Sequence, residues 1–271
     1  MNDLQKVEFE LLRHFVEICE KLELRYYLVC GSALGAVKYQ GFIPWDDDVD
    51  VALPRADYER FLTEAPALLP EHVFLQNYRT DPEFPQIFSK LRHSGTTYIE
   101  KSVARLPINH GIYIDIFPLD GRPEGALAQK MLELRKKLYL WKLMTAVDLP
   151  REPKSLVHYT LFRMMGCHRR IPKIAARYDQ LISACPTEGA VVWCNHGNWQ
   201  GVLDYAPAEQ FGQGVTAVFE GLQVRIPAQY DAYLRQKYGD YRQDLPEDQK
   251  VGHHYYEICD TEKPYTYYTK R

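Results

Sequence analysis

The chain has 271 residues, 46% of them hydrophobic and 25% charged, with a net charge of -3. That is ordinary globular composition, long enough for one large domain or a core with an appended lobe. It gives no global case for nucleic-acid binding. No run of 18 apolar residues exists, so no membrane span is expected, and Met1 leads directly into an amphipathic pattern with no secretory leader. The six cysteines form no CxxC pair and read as reduced thiols, neither a disulfide framework nor a zinc site. Together these features predict a cytoplasmic setting.

In chain order, Leu4, Val7, Leu11, Phe15, Ile18 and Leu22 recur at helical spacing and predict a helix over 3–23, capped by Asn2 or Asp3. Residues 26–30 read as a short buried strand that delivers Gly31 and Ser32 at its end, followed by a short helix over 33–39 and a turn from Gly41 to Pro44. Then come four carboxylates in five residues: Asp46, Asp47, Asp48 and Asp50. They interleave with Val49, Val51 and Leu53, which predicts a strand with Asp46, Asp48 and Asp50 on one face and the valines in the core. Asp47 then points the other way. Three carboxylates on one face repel strongly unless a cation lies between them, and hard oxygen donors suit magnesium or manganese. A solvated acidic loop is the plain alternative. A calcium loop is disfavoured because its sixth position would be Val51, where glycine is needed.

Residues 55–69 read as a helix shortened by Pro66 and Pro70, and 73–76 and 87–92 as strands. Lys90 and Arg92 share one face of the second strand, as basic groups that hold phosphate oxygens do. GIYIDIFPLD predicts a buried strand over 111–120 in which Asp115 is the one charged interior residue and needs a cation or partner. Asp120 reads as a turn or cap. Helices are predicted over 126–144, 156–165 and 171–184, with a proline-rich break at 149–154. Between Gln129 and Lys173 stand eleven Lys or Arg against three acids, a local charge of +8. This basic, amphipathic surface suggests peripheral contact with anionic lipid at the inner face of a membrane. A strand over 191–194, a hairpin over 219–226 and a helix over 230–238 ended by Gly239 complete the pattern, and the aromatic tail is expected to pack back on the body. His196 stands in a turn as a candidate ligand or base, with a structural role the alternative, and His253 belongs to a histidine pair in the C-terminal tail that either reaches the substrate or lies on the surface. Trp45 and His253 are head-group or substrate candidates, Trp45 because an aromatic face attracts a quaternary ammonium.

The run GSALGAVKYQGFIPWDDDVDVALPRADYERF, the later GIYIDIFPLD and the C-terminal EGLQVRIPAQYDAYLRQKYGDY resemble the signatures of LicD-type proteins, phosphocholine transferases of bacterial surface glycans within the nucleotidyltransferase superfamily. The resemblance spans roughly residues 4–120 and 219–254 and implies an α+β, nucleotidyltransferase-like core with a mixed sheet flanked by helices. Over the whole chain this gives a catalytic core over 1–124, a basic helical lobe over 125–185 and a C-terminal segment over 186–271 that packs back. It further implies Asp48, Asp50 and Asp115 as catalytic metal ligands, with Asp46 as a further ligand, and magnesium or manganese as cofactor. Gly31, Ser32, Lys90 and Arg92 would hold the donor phosphates. The implied reaction moves phosphocholine, or a related head-group phosphate, from CDP-choline or another CDP donor to a hydroxyl of a teichoic-acid or lipopolysaccharide precursor, releasing CMP. The alternatives are a nucleotidyltransferase using a triphosphate and a non-catalytic glycan- or metal-binding module.

Overall fold

The computed structural model describes residues 1–148, 153–197, 205–252 and 255–269. The fold is α+β. Helix α1 (Asp3–Lys21) opens with a capping box in which Asn2 and Gln5 satisfy each other's backbone amides. Its buried face carries Leu11, Leu12, Phe15, Val16, Ile18 and Cys19, which pack on the sheet. Strand β1 (Tyr27–Leu28) is followed at once by helix α2 (Cys30–Lys38). The expected 26–30 strand is therefore shorter, and Gly31 and Ser32 lie in the first helical turn instead of before it. Cys30, at φ 52°, makes the sharp junction.

Strand β2 (Asp50–Pro54) leads into α3 (Arg55–Glu64), which Pro66 ends in a single 3-10 turn. Strands β3 (Val73–Gln76), β4 (Ser89–His93), β5 (Thr97–Glu100) and β6 (Ile112–Gly121) follow, then α4 (Ala126–Leu143), α5 (Pro153–Met164) and α6 (Ile171–Ser183). The remainder is β7 (Val192–Cys194), β8 (Tyr205–Pro207), the short α7 (Ala208–Phe211), β9 (Val215–Phe219), β10 (Leu222–Ile226), α8 (Tyr230–Tyr238), β11 (Tyr256–Asp260) and the short α9 (Thr266–Thr269).

The main sheet is mixed and runs β1-β2-β6-β4-β3, with β7 and β8 continuing from the far end of β6. Strands β2 and β6 are parallel, and the other pairings are antiparallel. Val49, Val51, Leu53, Ile114 and Ile116 point to the side covered by α1 and α3 and form the main core with them. Helices α4, α5 and α6 gather around a second apolar cluster of Leu143, Phe162, Ile171, Ile174, Tyr178 and Ile182, to which β4's approach contributes Ile87.

Two features depart from the expectations. Asp120 is not a turn residue. It is a fully buried member of β6 whose carboxylate takes both Arg55 Nε (2.7 Å) and Arg55 Nη2 (2.6 Å). The hairpin is longer than expected, 215–226, although its turn is at Glu220 and Gly221, both in the left-handed region. The C-terminal strand β11 pairs with β5 in a separate ribbon, and Tyr256 packs on Tyr98 at 5.1 Å.

Candidate active site

Parallel pairing of β2 with β6, and antiparallel pairing of β6 with β4, put three polar residues in one row: Asp50 opposite Asp115, and Asp115 opposite Lys90. Directly paired residues share a sheet face, so the row crosses three neighbouring strands at the floor of one cleft. The cleft has a volume of about 980 Å³, within the range of small-molecule sites. Asp46, Asp48, Asp50, Asp115, Lys90, Glu100, Gly31, Trp45 and Lys237 are among its walls.

Local structure explains why the acids converge. Ladder pairing starts only at Asp50, so Asp46–Val49 is an extended approach and not the regular strand expected. It is pinned from outside. Gln5 Nε2 on α1 donates to the carbonyl oxygens of Ile43 (3.4 Å) and Asp46 (3.1 Å). The Asp50 amide donates to Ser32 Oγ at 2.8 Å, and the Asp115 amide to the Val49 carbonyl at 2.8 Å. Gly31 faces this approach so closely that a β-carbon there would lie 2.8 Å from Asp46 Oδ2. A β-carbon there would force the Asp46 carboxylate to shift.

The electrostatics are those of a site crowded with negative charge. Burial, with Asp48 and Asp115 close by, pushes the Asp50 carboxyl well above its ordinary range, and Lys237 opposes that rise. The carboxylate oxygens of Asp46, Asp47 and Asp48 come within 4.8 Å of one another. Lys90 is buried, with its ammonium 2.9 Å from Asp115 Oδ1, 3.6 Å from Glu100 Oε1 and 3.2 Å from the centre of the Tyr113 ring. An all-oxygen donor set holding too little positive charge fits a hard divalent cation. Among the described residues, Asp46, Asp47 and Asp48 bring carboxylate oxygens close enough together for one ion, against the expectation that Asp47 points away, and Asp50 and Asp115 line the same cleft as Asp46 and Asp48.

The candidates do not all meet here. Arg92 does not line the cleft. It is fully buried behind Lys90, and its guanidinium is committed to Gln76 (2.5 Å), the Gly111 carbonyl (2.7 Å) and Glu100 (3.0 Å). Ser32 is buried too, and its hydroxyl supports Asp50. Asp47 lies beside Gly252, whose β-carbon would come within 2.7 Å of its carboxylate, and it is absent from the cleft walls. His253 lies outside the described residues. His196 is buried away from the cleft: Nε2 reaches the Gly121 carbonyl at 3.4 Å and Nδ1 meets Cys194 Sγ at 3.3 Å. Trp45 stands at the rim, edge-on to Tyr39 at 6.2 Å, with the Lys250 ammonium 5.3 Å from its ring.

Two residues entered the site unannounced. Lys237 on α8 donates to Cys30 Sγ at 3.1 Å beside Asp50, and Glu100 on β5 joins Lys90 and Arg92. Lys237 was within reach of the sequence, because it stands in the YLRQKYGDY run that carried part of the resemblance. Nothing local distinguishes Glu100.

Comparison with known proteins agrees with the resemblance. Residues 23–138 match the family model described as LicD/FKTN/FKRP, nucleotidyltransferase domain. The chain is 26% identical over 264 residues to lipopolysaccharide cholinephosphotransferase LicD of Haemophilus influenzae, covering 94% of this chain and 96% of that protein. It also shares 36% identity over 53 residues with an uncharacterized protein of Rickettsia typhi, covering 20% of this chain and 17% of that one. A similar segment of a Rickettsia prowazekii protein is 37% identical over 49 residues, 18% of each chain.

Proposed function

We propose that this chain, which carries a LicD-type domain and is similar over nearly its whole length to a cholinephosphotransferase, transfers phosphocholine from CDP-choline, or a related head-group phosphate from another CDP-linked donor, to a hydroxyl of a lipopolysaccharide-type glycan and releases CMP. The observation that carries this reading is the Asp50–Asp115–Lys90 row on the cleft floor, with Asp46 and Asp48 beside it. The acceptor glycan would be presented on a lipid, with the chain held peripherally at the membrane surface.

Asp46, Asp48, Asp50 and Asp115 would hold magnesium or manganese, which when bound supplies positive charge against the pyrophosphate oxygens. The chain's own groups do the rest. Lys90 offers an ammonium next to Asp115, placed to balance charge on the transferred phosphoryl group, and Lys237 does so from the opposite wall. The Gly31 amide, in the first turn of α2 and on the cleft wall, has no partner within the helix and can face a phosphate oxygen, while Ser32 behind it holds the Asp50 backbone. Asp115 accepts the proton of the acceptor hydroxyl. The hydroxyl oxygen then bonds to the choline-bearing phosphorus, and the bond from that phosphorus to the CMP oxygen breaks. Trp45 and Tyr39 at the rim offer aromatic faces to a quaternary ammonium, as the Lys250 ammonium over Trp45 illustrates.

The test is purified protein with magnesium, CDP-choline, other CDP-linked donors and CTP, scored for CMP, pyrophosphate and donor binding. CMP release or metal-dependent binding of CDP-choline, removed by EDTA and by Asp48→Asn, is the expected result. Binding of a different CDP donor changes the head group. Pyrophosphate from CTP makes the chain a nucleotidyltransferase in the strict sense, and silence on every arm overturns the catalytic reading.

A further inference from the structure

Helix α4 turns an apolar stripe away from the protein. Leu127, Met131, Leu134 and Leu138 are all exposed, Leu127 by 73% and Leu134 by 70%. Their spacing, i, i+4, i+7 and i+11, is that of one line along a helix. The residues α4 buries, Leu132, Lys136 and Leu143, fall on the opposite side of the same helix. So the stripe is not the inward face of an ordinary amphipathic helix. It is a second apolar face, pointing outward. Basic residues flank it on both sides: Arg135 and Lys142 along one edge, Lys130 and Lys137 along the other. Of these, Lys130, Arg135 and Lys137 are exposed and Lys142 is half-buried.

The neighbouring helix repeats the pattern. Helix α5 packs against α4 through a Trp141–His158 stack at 4.0 Å. It and the residue after it expose Leu156, Val157, Leu161, Met164 and Met165, with Met164 exposed by 83%. Arg163, Arg169 and Arg170 are exposed beside them. Among the described residues, nine of the nineteen large exposed apolar side chains lie between 127 and 165, so the exposure is concentrated and not scattered.

We propose that the outward face of α4 and α5 docks on an anionic phospholipid surface, its leucines and methionines entering the headgroup boundary and its lysines and arginines meeting lipid phosphates. Charge selects this occupant. The segment from Gln129 to Lys173 carries +8, so a second copy laid face to face would bring two strongly positive surfaces together. An anionic bilayer meets both the apolar stripe and its basic edges. The face is tied to the cleft. Ile87 packs in the cluster beneath α4, α5 and α6, while its neighbours Gln86 and Phe88 line the cleft. The inference deepens the proposed function, on which it rests for its purpose: docking would hold the cleft beside a lipid-borne acceptor.

The experiment is co-sedimentation of the full chain with vesicles of phosphatidylcholine alone and of phosphatidylcholine with phosphatidylglycerol, at low and high salt. Binding only to the anionic vesicles, weakening as salt rises, is expected. Lys130→Glu, Arg135→Glu and Lys137→Glu together should lower the affinity on the order of a hundredfold. Leu134→Gln with Met164→Gln should also release the protein. Neither variant should alter CMP release from a soluble donor, which is read without vesicles and so separates failure of docking from failure of the catalytic reading. Wild-type protein left in the supernatant with both vesicle types overturns the proposal. So does binding that both variants retain, or a dimer in light scattering that Leu134→Gln with Met164→Gln splits.

Discussion

At the scale of single residues, the site pits charge against fold. Asp50 is half-buried beside Asp48 and Asp115, and its carboxyl resists ionisation. Replacing it with a neutral isostere removes that repulsion and also a cation ligand. Asp50→Asn is therefore expected to lose activity by at least ~10³-fold, on the scale of removing a central electrostatic group, while melting no lower than wild type in the absence of divalent cations. A melting point well below wild type would mean that the ionised carboxylate supports the fold. Asp47→Asn is the matching control. Its side chain shares the acid cluster but not the cleft wall, so it should retain most of its activity. Equal damage at Asp47 and Asp50 would show that the two faces of this stretch were wrongly separated. Gly31 illustrates a different constraint, since a β-carbon there would displace the Asp46 carboxylate from its place on the cleft wall.

At the scale of elements, one buried ion network ties three of them together. Arg55 at the start of α3 reaches Asp120 on β6 and Asp179 on α6, the latter at 2.9 Å. Arg79 and Tyr78 close the network on Asp179 at 3.1 and 2.8 Å. Burial raises the Asp120 carboxyl and Arg55 pulls it back. Losing the guanidinium alone strands buried carboxylates, so Arg55→Leu should cost about 3–5 kcal/mol in urea unfolding. Adding Asp120→Leu to that variant should recover part of the loss, because an unpaired buried charge costs more than an apolar substitute. A double variant less stable than Arg55→Leu would show instead that the packing around Asp120, and not its charge, is what the network preserves.

At the scale of the whole molecule, acid sensitivity has a traceable source. His196 is buried beneath the C-terminal end of β6, near Lys136, Arg55 and Arg122. Burial first, then these cations, push its imidazole down to about 3. In the unfolded chain the group titrates near its ordinary 6.5, so below that pH the unfolded state takes up a proton the folded state refuses. The contribution is fully present above pH 6.5 and is lost as pH falls toward 3, by up to about 1.4 kcal/mol per pH unit. Urea midpoints at pH 7, 6 and 5 should therefore fall more steeply for wild type than for His196→Gln. Parallel declines would assign the acid sensitivity elsewhere. Among the described residues no helix is long and apolar enough to cross a membrane, so any lipid contact of those helices is made from the surface.

Local pattern determined much of this protein. The 3.6-residue spacing of α1, the alternation around Val49 and Val51, and the lone acid in GIYIDIFPLD each follow from nearest-neighbour periodicity, and they gave the core faces and the paired strand acids Asp50 and Asp115, whereas Asp46 and Asp48 reach the cleft from a stretch outside the strand ladder. What the chain alone could not decide was adjacency between distant segments. Lys90 and Arg92 share a strand face, yet only the pairing of β4 with β6 and the arrival of Glu100, Gln76 and the Gly111 carbonyl divide them into a cleft cation and a buried strut. Asp120 looked like a turn residue after Pro118 until Arg55, 65 positions away, gave it a reason to be buried. Lys237 meets Asp50 from the far end of the chain. Sequence periodicity reports which side of an element is apolar, and a polar residue's role depends on which charges the folded chain brings within a few ångströms of it.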